Sequence, residues 1–176
     1  MHQHAEAQKV KYDVHMNCFA QELRSKFYGR IGLLLSFCQT ALGASIFADA
    51  GKSGVLGAIV ALIGVAMTTF KFSDMAAESK AVKTSLYKLC MACGKISDEE
   101  LANRYYDVIV ESPSPSADIR GIAQVCCEMS YEGIDHTIPA PDINLTLWQW
   151  VIVKLTGFSY ILSEPNVHSP WSRAKN

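Results

Sequence analysis

Cys90 and Cys93 form a Cys-x-x-Cys pair, and Cys126, Cys127 and His136 follow downstream. Thiolates and an imidazole are zinc ligands, and a structural zinc site wants four of them in a tetrahedron. The same pair is also the dithiol of thioredoxin-like proteins, but those carry it within a βαβ pattern, and none surrounds it here. The context points away from both. Cys93 and Cys126 fall on apolar faces of helix-like segments, and neighbours such as Cys126 and Cys127 rarely bind one ion together. All six cysteines, Cys18 and Cys38 included, lie in helical or apolar stretches. They read as reduced thiols in a cytosol-facing protein. No metal site is expected, and Cys90, Cys93, Cys126, Cys127 and His136 are the only weak candidates for one.

Other chemistry is equally thin. His2, His4, His15 and His168 have no nucleophile at a readable spacing. The run "GKSGVLG" (51–57) lacks the preceding glycine pattern of a phosphate-binding loop. Asp98, Glu99 and Glu100 suit a helix N-terminus, where the macrodipole favours acids. Glu128 and Glu132 read as a solvated surface. The formal net charge of −1 gives no basic surface for nucleic acid. The expectation is a protein that is not an enzyme, holds no cofactor and does not bind nucleic acid directly.

The informative feature is segregation. Hydrophobic residues make up 49% of the 176, an ordinary share, yet between 31 and 70 the only charges are Asp49 and Lys52. The runs 31–48 and 53–70 each hold 18 uncharged residues. At ~1.5 Å per residue each spans about 27 Å as a helix, near the lower limit for a hydrocarbon core of ~30 Å. Neither shows the polar stripe of a surface helix. "DAGKSG" between them is a tight polar turn with two glycines. The reading is a transmembrane helical hairpin over 31–72. The second run carries Gly57, Ala61, Gly64 and Thr68 at spacings of 4, 3 and 4, and the first carries Ser36, Thr40 and Gly43. Small residues of this kind let helices approach closely in lipid. Gln39 then faces a partner helix or a pore. Arg24, Lys26 and Arg30 precede the hairpin, and Lys71, Lys80, Lys83 and Lys88 follow it, against Lys52 alone in the turn. The positive-inside rule puts both termini in the cytoplasm. The first thirty residues, with three His and eight charges, show no apolar core of a signal peptide.

Residues 1–30 read as an amphipathic cytoplasmic helix, with Tyr12, Met16, Phe19, Leu23 and Phe27 on one face and no break before the first span. Residues 73–135 read as cytoplasmic helices. Phe72, Met75, Ser79, Val82, Leu86, Leu89 and Cys93 continue an apolar face to a stop at Gly94. Ser97 and Glu100 form a capping box for a second helix, "SPSPS" (112–116) ends it, and Ile119, Ile122, Cys126 and Met129 mark a third. "IPAPD" (138–142) is a further break. The segment 143–162 holds one charge, Lys154. A third span there is disfavoured, because a central Lys costs about 2.5–3.5 kcal/mol on insertion scales. An interfacial or docked helix is preferred and a strand stays open; Trp148 and Trp150 suit an interfacial belt, with Arg30 and Lys71 as charged anchors. Residues 163–176 read as a loose tail. The fold class is therefore an all-α membrane protein, a two-helix hairpin on long cytoplasmic helices forming a stalk or bundle.

"RSKFYGRIGLLLSFCQTALGASIF" and "GVLGAIVALIGVAMTTFKFSDMAAESKAVKTSLYKL" resemble the SLATT family, the SMODS- and SLOG-associating two-transmembrane effectors, over about residues 10 to 135. The resemblance rests on architecture and residue texture, so no functional residue is carried over. It implies an oligomeric membrane effector of bacterial and phage conflict. Such an effector sits in the inner membrane, is triggered through a separate sensor protein or nucleotide signal, and then compromises the bilayer. Different functions for the same layout are a membrane-anchored scaffold, a holin-like phage protein and a soluble all-helical assembly protein.

Overall fold

The computed structural model describes residues 2–48, 53–130, 143–163 and 167–168. Among the described residues the regular structure is helical apart from a two-residue parallel pairing. Its elements in chain order are α1 (His2–Ala48), α2 (Ser53–Phe70), α3 (Phe72–Ala92), α4 (Asp98–Val110), α5 (Ala117–Ser130), β1 (Ile143–Asn144), α6 (Leu147–Thr156), a 3-10 turn (Ser159–Ser163) and β2 (Val167–His168). β1 pairs with β2 through Ile143–Val167 and Asn144–His168.

α1 is a single 47-residue helix, about 70 Å long at ~1.5 Å per residue. No proline or cap interrupts it, so the amphipathic arm and the first apolar run form one rod. α3 returns antiparallel along it. Reading up α1 and down α3 into α4, Lys11 pairs with Asp98 at 2.8 Å, Glu22 with Lys83 at 3.2 Å, and Ser25 donates to the Ala76 carbonyl at 3.0 Å. Two glycines allow the closest approach. A Cβ on Gly32 would lie 3.5 Å from that of Phe72, and one on Gly29 would lie 3.9 Å from that of Ala76.

The arm of α1 was expected to bury one face and buries two. Leu23 and Phe27, with Met16 and Phe19 beside them, pack with Ile119, Ile122, Cys126, Ile152 and Ile161 of α5, α6 and the 3-10 turn. Val14, with Val10 and Cys18 alongside, packs with Leu86, Leu89, Leu101 and Tyr105 of α3 and α4. α1 is thus the central member of the stalk, with helices on both sides.

Local signals set the ends. Gly94 has φ 85, the left-handed stop beyond α3. Ser97 caps α4 by accepting from the Glu100 amide at 3.2 Å, but the reciprocal half of the expected capping box is absent, because the Glu100 carboxylate turns to Arg104. The serine–proline connection (112–116) is strapped to α1. Gln21 donates to the Pro113 carbonyl at 3.0 Å, and the buried Arg24 donates to that of Ser114 at 3.4 Å. The complete box is at Thr146 and Gln149, starting α6. "IPAPD" lies outside the described residues, as do 164–166 and 169–176 of the expected loose tail; within that tail Ser163 ends the 3-10 turn, and Val167 and His168 are held by pairing with β1.

Leu23 is fully buried, whereas Val110 is 82% exposed. Leu23→Ala is expected to lower unfolding stability by about 2–5 kcal/mol, and Val110→Ala by no more than about 0.5 kcal/mol. Chemical unfolding of the purified protein measures both. Equal effects would contradict a stalk built around α1.

Candidate membrane interface and hairpin

Burial changes abruptly where the charges stop. From 31 to 45 and from 54 to 70, no described side chain is buried. Leu33 is 72% exposed, Phe37 71%, Val55 73% and Leu62 73%. Among the described residues one helix, Gly54–Ala92 (α2 running into α3), is long and apolar enough to cross a membrane, and none of its apolar stretch is buried. The first run ends in Ile46, Phe47 and Ala48, whose side chains lie outside the described set.

The hairpin closes at its base. Ser36 Oγ lies 4.0 Å from Met67 Sδ, and the Gln39 amide nitrogen lies 3.4 Å from where a Cβ on Gly64 would stand. Gln39, Ser36 and Gly64 are therefore brought together between α1 and α2. Gly43 and Gly57 have no described atom within 4 Å of an added Cβ. Thr40, Ala61 and Thr68 face outward. The hydroxyls of Thr40, Ser45 and Thr68 donate to carbonyls four residues back at 2.9, 2.8 and 3.1 Å. Such back-bonding satisfies a hydroxyl without water.

The proposed anchors cluster where hairpin meets stalk, but two of them have structural work of their own. Arg30 donates to the Leu155 carbonyl at the C-terminal end of α6, where unpaired carbonyls and the dipole favour a cation. Its guanidinium lies 3.3 Å from where a Cβ on Gly157 would stand, and Gly157 has φ 79, so this corner requires glycine. Lys71 has φ 45, the single left-handed non-glycine residue among those described. It joins α2 to α3 while keeping the hydrogen bonds from its amide to Met67 (3.1 Å) and from Met75 to its carbonyl (3.1 Å). The strain costs about 1–2 kcal/mol. Around the joint, Phe70 stacks on Phe72 at 5.6 Å and Phe72 on Tyr28 at 6.2 Å. Trp148, half exposed, meets Phe27 edge-on at 5.9 Å, and Lys154 lies 5.8 Å from the Trp150 ring. Segment 143–162 is thereby docked, with Ile152, Val153 and Thr156 buried against the stalk.

The weak metal candidates do not converge. Cys126 is buried in the α1–α5–α6 core, Cys127 Sγ donates to the Tyr12 carbonyl at 3.9 Å, Cys90 lies on α3 and Cys93 caps its C-terminal end. Burial pushes the thiols of Cys126 and Cys127 up to about 12. Among the described residues no group of three or more His, Cys, Asp or Glu is placed to hold an ion, and His136 lies outside them.

An antiparallel pairing of α1 with α3 is expected from their apolar faces, but the seam also runs through small residues that those faces do not include, Ser25, Gly29 and Gly32. With Ser36, which meets Met67 of α2, they repeat at 4, 3 and 4, the same spacing as the stripe on α2. The pattern was hidden because it crosses from the charged arm into the apolar run. Comparison with family models, curated proteins and solved structures finds no match for this chain.

Gly64→Val should push Gln39 aside and lower the unfolding temperature of the detergent-solubilised protein, whereas Gly57→Val should leave it unchanged. The reverse order would place the helix contact elsewhere. Lys71→Gly should raise stability by about 1 kcal/mol, because glycine carries no left-handed penalty. Destabilisation there would mean that the Lys71 side chain contributes more than its backbone costs.

Proposed function

We propose that the chain is an oligomeric two-transmembrane effector. The runs 31–48 and 53–70 cross the bilayer of the inner membrane, both termini stay on the cytoplasmic side, and the stalk receives the trigger. When a separate sensor protein or nucleotide signal repacks the stalk, hairpins from several copies open or disrupt the membrane.

The observation that carries this reading is the contrast in burial. A stalk that buries its own core is continuous with an apolar hairpin that has no buried side chain among its described residues. Leaving each large apolar side chain in water forgoes about 1.5–3 kcal/mol, and lipid removes that penalty. The self-satisfied hydroxyls of Thr40, Ser45 and Thr68 suit a medium without water. Two helices enclose no aqueous path, so a pore needs further copies. The outward Thr40, Ala61 and Thr68 offer small faces for them. The left-handed Lys71 supplies a joint about which α2 can turn relative to α3. The resemblance to two-transmembrane effectors points the same way.

The second reading is a membrane-anchored scaffold. It is favoured by a stalk whose two apolar clusters, from Val14 to Ile161, use no residue of α2. Induced expression with a membrane-potential dye separates the two. The effector reading expects depolarisation together with growth arrest, lost when the hairpin is replaced by an unrelated one. Arrest without depolarisation, or activity that survives the replacement, would overturn it in favour of the scaffold.

A further inference from the structure

A groove of about 510 Å³ opens between the arms of α1 and α3, walled by Phe19, Tyr87 and Met91. Cys18 of α1 and Cys90 of α3 line it from opposite sides. Both also pack against the apolar cluster of Val14 and Leu86. The two residues face one another across the antiparallel pair, between the Lys11–Asp98 contact at 2.8 Å and the Glu22–Lys83 contact at 3.2 Å. The groove admits small solutes, while the Glu22–Lys83 ion pair stands at the same wall.

We propose that Cys18 and Cys90 are a redox-modification site, oxidised by peroxide to a disulfide that ties α1 to α3. Cys18 is the attacking sulfur. Hydrogen bonding with Cys90 lowers its pKa, burial opposes this, and the charge of Lys83 assists, leaving it below the usual thiol value. Cys90 is held well above that value by the same interaction and by burial. A thiol of lowered pKa beside one of raised pKa is the arrangement of an attacking and a resolving cysteine. In the first step the Cys18 thiolate attacks one peroxide oxygen, the O–O bond breaks, hydroxide leaves, and Cys18 becomes a sulfenic acid. In the second, Cys90 attacks the Cys18 sulfur, the S–O bond breaks and water leaves with the Cys90 proton. The two thiols lose two electrons, and one peroxide becomes two waters. The bond would fix the stalk across the groove, where neither the hairpin nor α6 takes part, so it stands independently of any pore.

The test uses the full chain in membrane vesicles. These are treated with hydrogen peroxide, blocked with a maleimide, digested and read by mass spectrometry. The expected product is a Cys18 peptide linked to a Cys90 peptide within one chain, released by dithiothreitol. Cys90→Ser should lose the link and accumulate a dimedone adduct on Cys18. Cys18→Ser should lose the link without an adduct on Cys90, and Cys126→Ser should keep the link. Circular dichroism establishes that each variant is folded. A Cys90–Cys93 link, a link between two chains, or unmodified Cys18 in folded wild-type protein would each overturn the proposal.

Discussion

α1 is one uninterrupted helix that passes from an environment with protein on two sides to one with almost none. Everything else in the structure is arranged along that rod. α3 and α4 cover one face of its arm, and α5, α6 and the 3-10 turn cover another. Because the helix is continuous through Ile31, the stalk and the apolar run cannot rotate independently. The return path differs: at Lys71 the backbone takes a strained left-handed turn between α2 and α3. One leg of the hairpin is stiff and the other is jointed.

The joint is braced from three directions. Gly29 and Gly32 let α3 lie close to α1 at the start of the apolar run. The stacked Phe70, Phe72 and Tyr28 fill the space beside them. Arg30 fastens the end of α6 to the same level by holding the Leu155 carbonyl. Aromatic rings and cations at one level are what a membrane–water boundary favours. The same residues also have intramolecular partners, so this level of aromatic rings and cations is part of the fold and not a surface addition.

The elements that follow a single period were legible in the sequence. The face of α3 through Ser79, Leu86 and Leu89 is the buried one, and Gly94 stops the helix where its freedom at positive φ predicts. What escaped depended on long-range neighbours. A helix with partners on two sides has no single stripe, so the Val14 and Cys18 side of α1 was not separable from surface by periodicity. The Thr146–Gln149 box was present as a Thr-x-x-Gln pattern but was masked by the aromatic residues around it, which also suit a strand. Of the small residues in the apolar runs, spacing identified the set but not the partners. Gln39 and Gly64 meet, while no described atom lies within 4 Å of an added Cβ on Gly43 or Gly57.

The central claim is that 31–48 and 53–70 lie in hydrocarbon. Spin labels on Leu33→Cys, Phe37→Cys, Leu62→Cys and Val65→Cys in reconstituted vesicles test it directly, through collision rates with oxygen and with a water-soluble nickel complex. Hydrocarbon requires oxygen to dominate at all four positions and nickel to dominate at a label on Tyr87→Cys in the stalk. Free access of nickel to Phe37→Cys and Leu62→Cys would mean that the hairpin stands in water.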